Sequence, residues 1–399
     1  MPKSANPIWG DDWEDVRRLW ILDPEVAHCN HGSYGAVPGP VLAAQNEIRT
    51  RMAVHPQRWF NRESPVLVSA ARVEVARFVG AGPDEVAFVK NVSAGVSAVV
   101  QSLTLEPGAE VVSTDHIYGA VSSALDRLCA RTGATRVVAP VPIDSTDEEI
   151  VAIFAERCSQ RTGLVVVDQV TSPTARRFPI EGVAAVGHRF GAAVLVDGAH
   201  APGMLPLEVP RYGADFWVGN LHKWACTPAG TGALWVAPQW RERMLSLVVS
   251  WGEADGFPLS FERVGTDDLS AWLAAPITLD LLGSLGWERV RAHNEALVCW
   301  AQATVAEALG VPSSELHHDA GLSMALVRLP PGQADTRERT QALHEHMVTL
   351  GVEMAVGCWG GRGAIRLSAQ VYNRPSDYER MAVGVRNFLA GSKAGQEQW

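Results

Sequence analysis

"FWVGNLHKWACTPAGTGALWV", residues 216–236, ends one apolar run and begins another, and between them stands "NLHKW". Both runs are short, nearly free of charge and rich in Val, Leu, Phe and Trp, the composition of strands buried on both faces. A lysine in such a place is costly unless it is paired or neutralised. Lys223 therefore has two readings. Either it snorkels its ammonium to water at a strand end, or chemistry holds it inside, and the rest of the chain must decide.

Outward from this stretch the same kind of run recurs. "EVAFVK" (85–90), "AEVVST" (109–114), "GLVVVDQV" (163–170) and "AAVLVD" (192–197) precede it, while "DFWVGN" (215–220) and "GALWVA" (232–237) frame the lysine. They alternate with helix-like stretches such as "SAGVSAVVQSL" (93–103), "AVSSALDRLCART" (120–132) and "DEEIVAIFAERC" (147–158). This alternation predicts the α/β class, a mostly parallel sheet covered by helices. After "LDLLGSLGWERVRAHNEALVCWAQATVAEAL", a long helical passage, the pattern changes. "SMALVRLP", "TRERTQALHEHMVTLG", "VEMAVG", "AIRLSAQVYN" and "SDYERMAVGVRNFL" read as strand, helix, two strands and helix, a smaller α/β domain. The expected organisation is an N-terminal segment (1–29) packing with the small domain, a large domain (30–289) and a small C-terminal domain (290–399). The tail "GSKAGQEQW" is expected to be disordered.

The 399 residues, 47% hydrophobic, suffice for a large core or for two domains sharing an interface. A net charge of -10 with no Lys/Arg run argues against a nucleic-acid partner. The N-terminus has no apolar segment of a signal peptide, and no stretch approaches membrane-spanning length. The six cysteines show neither CxxC nor zinc spacing and read as free thiols in a reducing cytoplasm. "HEH" (344–346) puts its histidines on different faces of a helix and "HHD" (317–319) lies in a loop, so neither predicts a metal site.

In a sheet of this kind ligands bind beyond the carboxyl ends of the strands. Four predicted strands finish there on polar groups: His116, Gln169, Asp197, and Asn220 with His222 and Lys223. Asp197, after "AAVLV", needs a cation or several donors to stay ionised. An arginine would serve structurally; so would the protonated pyridine nitrogen of pyridoxal phosphate (PLP), which also needs a lysine for its Schiff base. "EVAFVKNVSAGVSAVV" reads as strand, turn and helix with Ser93 at the N-cap, either a plain cap or an anion cradle. "NVSAG" departs from the hydrolase elbow G-x-S-x-G because Asn91 replaces the glycine that the strained turn requires. G-x-G-x-x-G and G-x-x-x-x-G-K-[ST] are absent, against nicotinamide and nucleotide cofactors.

Together these residues resemble the class V aminotransferase-like group of fold type I PLP enzymes, in its isopenicillin N epimerase-like branch. The resemblance runs through "NHGSYGAVP" (30–38), "HPQRWFNRESP", "NVSAG", "TDHIYGA", "DQVTSPT", "VDGAHAPG", "NLHKW", "VGTDDLSAW" and "IRLSAQVYN" (365–373), nearly the whole chain in order. It implies that Lys223 holds PLP as a Schiff base, that Asp197 pairs with the pyridine nitrogen and that His200 lies near the phenolic oxygen. Ser93 and Ala94, with Asn220 and His222, would bind the phosphate. Thr266 would reach the phosphate of the other subunit, which implies a homodimer. His116 or Tyr118 would stack on the cofactor ring, and Ser172 stands where relatives often have Asn beside the cofactor. Arg366 would grip the substrate carboxylate, a bidentate task suited to a guanidinium, with Asn30 and His31 in the same substrate-binding group. On this reading Lys223 is tolerated inside because a Schiff base removes the free ammonium.

The resemblance leaves the reaction open among epimerases, C–S lyases, desulfurases, decarboxylating or deaminating enzymes and aminotransferases. A desulfurase needs a nucleophilic cysteine on a small-domain loop; Cys358 in "VGCWGGRGAIR" is nearby, but the desulfurase loop pattern is missing and it reads as incidental. An epimerase needs a second proton carrier opposite Lys223, for which His31, His116 and Tyr118 are available. A C–S lyase needs only the lysine, a held carboxylate and room for a departing thiol. The expectation is therefore β-elimination from an S-substituted L-cysteine, with amino-acid epimerisation as the alternative. A PLP-binding regulator without turnover has no DNA-binding segment in its favour. Trp59, Phe60 and Trp251 are read as core residues, or as walls of the substrate pocket.

Overall fold

A computed structural model describes residues 12–394. Residues 1–11 and 395–399 lie outside it, and with them the start of the N-terminal segment and the end of the tail. The described chain divides into two compact units. One comprises 37–172 and 177–281; the other comprises 12–36, Pro173–Arg176 and the chain from Leu282 onward.

The larger unit is built on a seven-stranded sheet. Its spatial order is Val86–Val89, Gly232–Val236, Phe216–Asn220, Ala193–Gly198, Thr162–Asp168, Glu110–Thr114, Thr135–Ala139. Every pair is parallel except the two made by Gly232–Val236. All six strands predicted from apolar runs are present. The seventh, Thr135–Ala139, is an edge strand whose first four residues are partly or fully exposed, so it carries no continuous apolar run. Val96, Val99, Leu125 and Leu128 of two helices pack with Leu164, Leu195, Phe216 and Val218 of the strands in one buried cluster. Gly95 allows the closest approach: a Cβ there would lie 2.4 Å from the Val218 side chain.

Two further helices precede the first strand of the large sheet. Gly39–Val54 buries only Val41 and Gln45, too little for a readable apolar stripe. Ser64–Phe78 follows after the short turns Pro56–Arg58 and Trp59–Glu63 and buries Val68, Ala71, Arg72, Val75 and Ala76 at helical spacing.

The smaller unit carries a three-stranded antiparallel sheet, Ala355–Trp359, Arg362–Ser368, Met324–Arg328. Gly360 and Gly361, both at positive φ, make its two-residue hairpin turn. "VEMAVG" does not form one strand. Val352–Glu353 pairs in parallel with Ala27–His28, and the chain then changes sheets to begin Ala355–Trp359. The long helical passage is likewise two helices, Ser270–Leu285 and Trp287–Leu309, divided at Gly286 with φ +87. The last helix, Pro375–Ala394, runs four residues into the expected disordered tail. No proline interrupts it there, and one glycine inside a helix costs only about 1 kcal/mol.

Candidate functional site

The carboxyl ends of the central strands bring the polar residues of the larger unit together. Asp197 and Asp168 end similar apolar runs, "VLVD" and "VVVD", on adjacent parallel strands, and the register pairs them directly. Both are about 2% exposed. Asp197 Oδ1 accepts from the Ala199 N–H at 2.9 Å, whereas its Oδ2 is buried without a partner. A buried acceptor left unpaired is expensive, and this one is shaped to take an N–H. Burial pushes the Asp197 carboxyl upward, opposed by the Ala199 N–H and the Lys223 charge. Asp168 is pushed well above the usual carboxylate range, first by burial and then by the Asp197 charge; its own N–H and that of Tyr118 oppose this. Burial and the Asp197 charge thus both favour the protonated form of Asp168. Asp168 was not singled out in the sequence, although the shared VxVD ending of two neighbouring runs was a readable signal.

The turn after Phe216–Asn220 places the lysine. The N–H of Leu221 donates to the Thr231 carbonyl at 3.0 Å, and Cys226 N–H donates to the Lys223 carbonyl at 2.9 Å. Cys226 sits at φ +55, a conformation uncommon for a residue with a Cβ. Lys223 Nζ lies 3.0 Å from His200 Nε2, and Trp224 Nε1–H donates to His200 Nδ1 at 3.2 Å. Gly203, at φ +89, lets the chain after His200 lie directly against the Trp224–Ala225 peptide.

The expected anion cradle exists with a different cap. Asn91, not Ser93, caps the helix Val92–Ser102: its backbone is extended and its Oδ1 accepts from the Ala94 N–H at 2.9 Å. Ser93 is the second helical residue, where the N–H has no intrahelical acceptor. Asn220 Oδ1 accepts the Val92 N–H at 2.9 Å, so this strand end is tied to the helix N-terminus. His222 Nδ1 donates to the Thr231 carbonyl at 3.0 Å. Its pKa is lowered by burial and by the Lys223 charge, while the Thr231 carbonyl opposes the shift. With Nδ1–H bonded to Thr231, a neutral His222 leaves its Nε2 as an acceptor.

The two ring-stacking candidates differ sharply. His116 is fully buried, with Nε2 2.7 Å from the Val141 carbonyl and its ring edge-on to Phe178 at 5.3 Å. Tyr118 is 48% exposed, and its backbone N–H is the one that bonds Asp168. Ser172 is half-buried past the end of Thr162–Asp168, and Thr266 is exposed beside Gly265 in the loop before Ser270–Leu285. Trp59 is core, but Trp251 is 93% exposed and belongs to no core; Phe60 is intermediate.

In the smaller unit, Arg366 on the strand Arg362–Ser368 is buried, and its Nη2 donates to Asn30 Oδ1 at 3.1 Å and to Ser33 Oγ at 2.8 Å. His31 is buried nearby in the sequence, its Nδ1 2.9 Å from the Tyr372 hydroxyl and its Nε2 3.4 Å from Gln370 Nε2. These substrate-group residues therefore gather within one unit. Cys358 is exposed on an edge strand, its Sγ donating to the Asp335 carbonyl at 3.0 Å. None of the six cysteines forms a disulfide, and no helix among the described residues is long and apolar enough to cross a membrane.

The family model for Aminotransferase class-V matches residues 36–381. The isopenicillin N epimerase of Streptomyces clavuligerus is 31% identical over 392 residues, 93% of this chain and 97% of that protein. The probable chloroplastic L-cysteine desulfhydrase of Arabidopsis thaliana is 28% identical over 423 residues, 97% of this chain and 88% of that protein. Among solved structures, a C-DES variant with glycine covalently linked to its PLP cofactor superposes with a TM-score of 0.77 at 19% identity, covering 91% of this chain and 97% of that one.

Proposed function

Because this chain belongs to the aminotransferase class-V family, we propose that it is a PLP enzyme that cleaves the Cβ–S bond of an S-substituted L-cysteine. Bound at this site, PLP supplies an electron sink for the carbanion formed at Cα. Lys223 holds the cofactor and carries the Cα proton. Asp197 Oδ2, buried without a partner, takes the ring N–H. Ser93, Ala94, Asn220 and His222 hold the phosphate. Tyr118, rather than the enclosed His116, covers the ring. Arg366 binds the substrate carboxylate, with Asn30 and His31 in its support. Thr266 reaches the phosphate site of a second copy, so the active species is a homodimer.

The overall reaction balances without an oxidant. Lys223 removes the Cα proton, and the Cβ–S bond breaks with its electron pair leaving on sulfur. Sulfur takes up a proton as the thiol, and water converts the remaining three-carbon unit to pyruvate and ammonium.

The observation that carries the lyase reading is a half-buried lysine whose histidine rival is enclosed. Lys223 stands 3.0 Å from His200, while His116 is enclosed with its Nε2 on the Val141 carbonyl. Elimination needs one base. Inversion needs a second acid on the opposite face. Epimerisation is the second reading because a 31% identical relative is an isopenicillin N epimerase and because half-exposed Tyr118 is a possible second proton carrier. The test gives the enzyme an S-substituted cysteine and, separately, an amino acid without a β leaving group, both in deuterated water. Stoichiometric pyruvate and thiol from the first establish the lyase. Inversion with Cα deuteration of the second, and no pyruvate from any conjugate, establish the epimerase.

A further inference from the structure

His200 is clamped between two nitrogens. Trp224 Nε1–H reaches its Nδ1 at 3.2 Å, and Lys223 Nζ lies 3.0 Å from its Nε2. His200 and Trp224 are both about 1% exposed, so water does not compete for the indole bond. An indole nitrogen only donates; the His200 Nδ1 beside it must therefore accept, and a neutral imidazole then carries its one proton on Nε2. We propose that Trp224 is a positioning residue that locks His200 in the Nε2–H tautomer, so that an N–H rather than a lone pair faces Lys223 Nζ.

The consequence falls on the lysine. An N–H donor accepts nothing from an ammonium, so this tautomer favours the neutral amine of Lys223, the form that attacks an aldehyde. In the other tautomer the bare Nε2 would accept from an ammonium and hold Lys223 in its unreactive charged form. The backbone supports the same arrangement. Cys226 at φ +55 closes the turn behind Lys223 and Trp224. Gly203, at φ +89, lets the segment after His200 lie against Trp224; a Cβ there would come within 2.3 Å of the Trp224 carbonyl carbon. Both features fix the Trp224 backbone from which the indole reaches Nδ1.

The inference rests on the reading that Lys223 carries the cofactor, and the test separates the two. In the apoprotein with 15N-labelled histidine, the His200 signals (identified by their loss in His200→Gln) should show a protonated Nε2 and a bare Nδ1. This measurement needs no Trp224 variant. Trp224→Phe removes the donor and keeps an aromatic ring; the His200 signals should then become a mixture of tautomers. Its rate of cofactor incorporation at neutral pH should fall about fivefold, the factor made by one neutral hydrogen bond. The pH midpoint of incorporation should move upward. In a His200→Gln background the Trp224→Phe effect on incorporation should vanish, because it acts through the imidazole. A bare Nε2 in the parent apoprotein, or a Trp224→Phe protein with the parent's tautomer and incorporation rate, overturns the proposal. If the parent protein never develops the visible absorbance of lysine-bound PLP, the cofactor reading itself is wrong, whatever the tautomer.

Discussion

Replacing Gly203 by alanine tests how tightly the lysine turn is held. The new Cβ would lie 2.3 Å from the Trp224 carbonyl carbon, 2.4 Å from its oxygen and 2.5 Å from the Ala225 nitrogen. Ordinary contact begins about an ångström further out, and all three neighbours are backbone, which cannot rotate away. The residue also sits at φ +89, which costs a non-glycine residue about 1–3 kcal/mol. Overpacking adds about 1–3 kcal/mol. The sum, roughly 2–6 kcal/mol, is a large part of a usual stability of about 5–15 kcal/mol. Gly213 supplies the control. It is at φ +67, and its added Cβ would meet nothing within 4 Å, so Gly213→Ala carries the backbone term alone. Urea unfolding of both apoproteins should show Gly203→Ala losing at least about 1 kcal/mol more than Gly213→Ala. Under conditions where it is folded, Gly203→Ala should also incorporate PLP more slowly, since the turn it presses against carries Lys223. Equal stability losses in the two variants would refute the argument that the lysine turn is braced by this contact.

Four further outcomes are expected. Asp168→Asn mimics the protonated acid. The parent's Asp168 carboxyl is raised above its unfolded value by burial, so its stabilising protonated form is complete at acid pH and is lost as pH rises through the folded pKa. The stability of the variant apoprotein relative to the parent should therefore increase from about pH 4 upward; parallel unfolding midpoints from pH 4 to 8 would contradict this, while Asp197→Asn should lose most turnover. Arg366→Ala should keep its cofactor and raise KM about tenfold or more, the loss of a charged hydrogen bond to the carboxylate; an unchanged KM would remove Arg366 from the substrate site. Sedimentation should find a homodimer, and mixing inactive Lys223→Ala with inactive Thr266→Trp subunits should restore activity through one intact shared site; a fully active monomer would exclude that sharing.

Much of the fold and the candidate site was legible in the sequence because both rest on local signals. A strand covered on both faces must be apolar throughout, so six of seven strands of the large sheet stood out, and polar residues following such strands mark the ligand end of a parallel sheet. Lys223, Asp197, Asn220 and His222 could be picked out on that basis alone. What failed to show lacked that local signal. Thr135–Ala139 is a half-exposed edge and Gly39–Val54 buries two side chains, so neither carries a buried-face pattern.

Other features were decided only by tertiary structure, because they depend on which groups meet across the chain. Asn91 rather than Ser93 caps the cradle helix, since the one-residue choice is made by an extended backbone and a side-chain bond to Ala94. His116 and Tyr118 are two residues apart, yet packing against Phe178 and Val141 encloses one and leaves the other half exposed. Trp251 has a core residue's chemistry and lies almost wholly outside any core. Asp168 meets Asp197 only through strand register, which sets two buried carboxyls side by side where burial and the neighbouring charge push Asp168 upward.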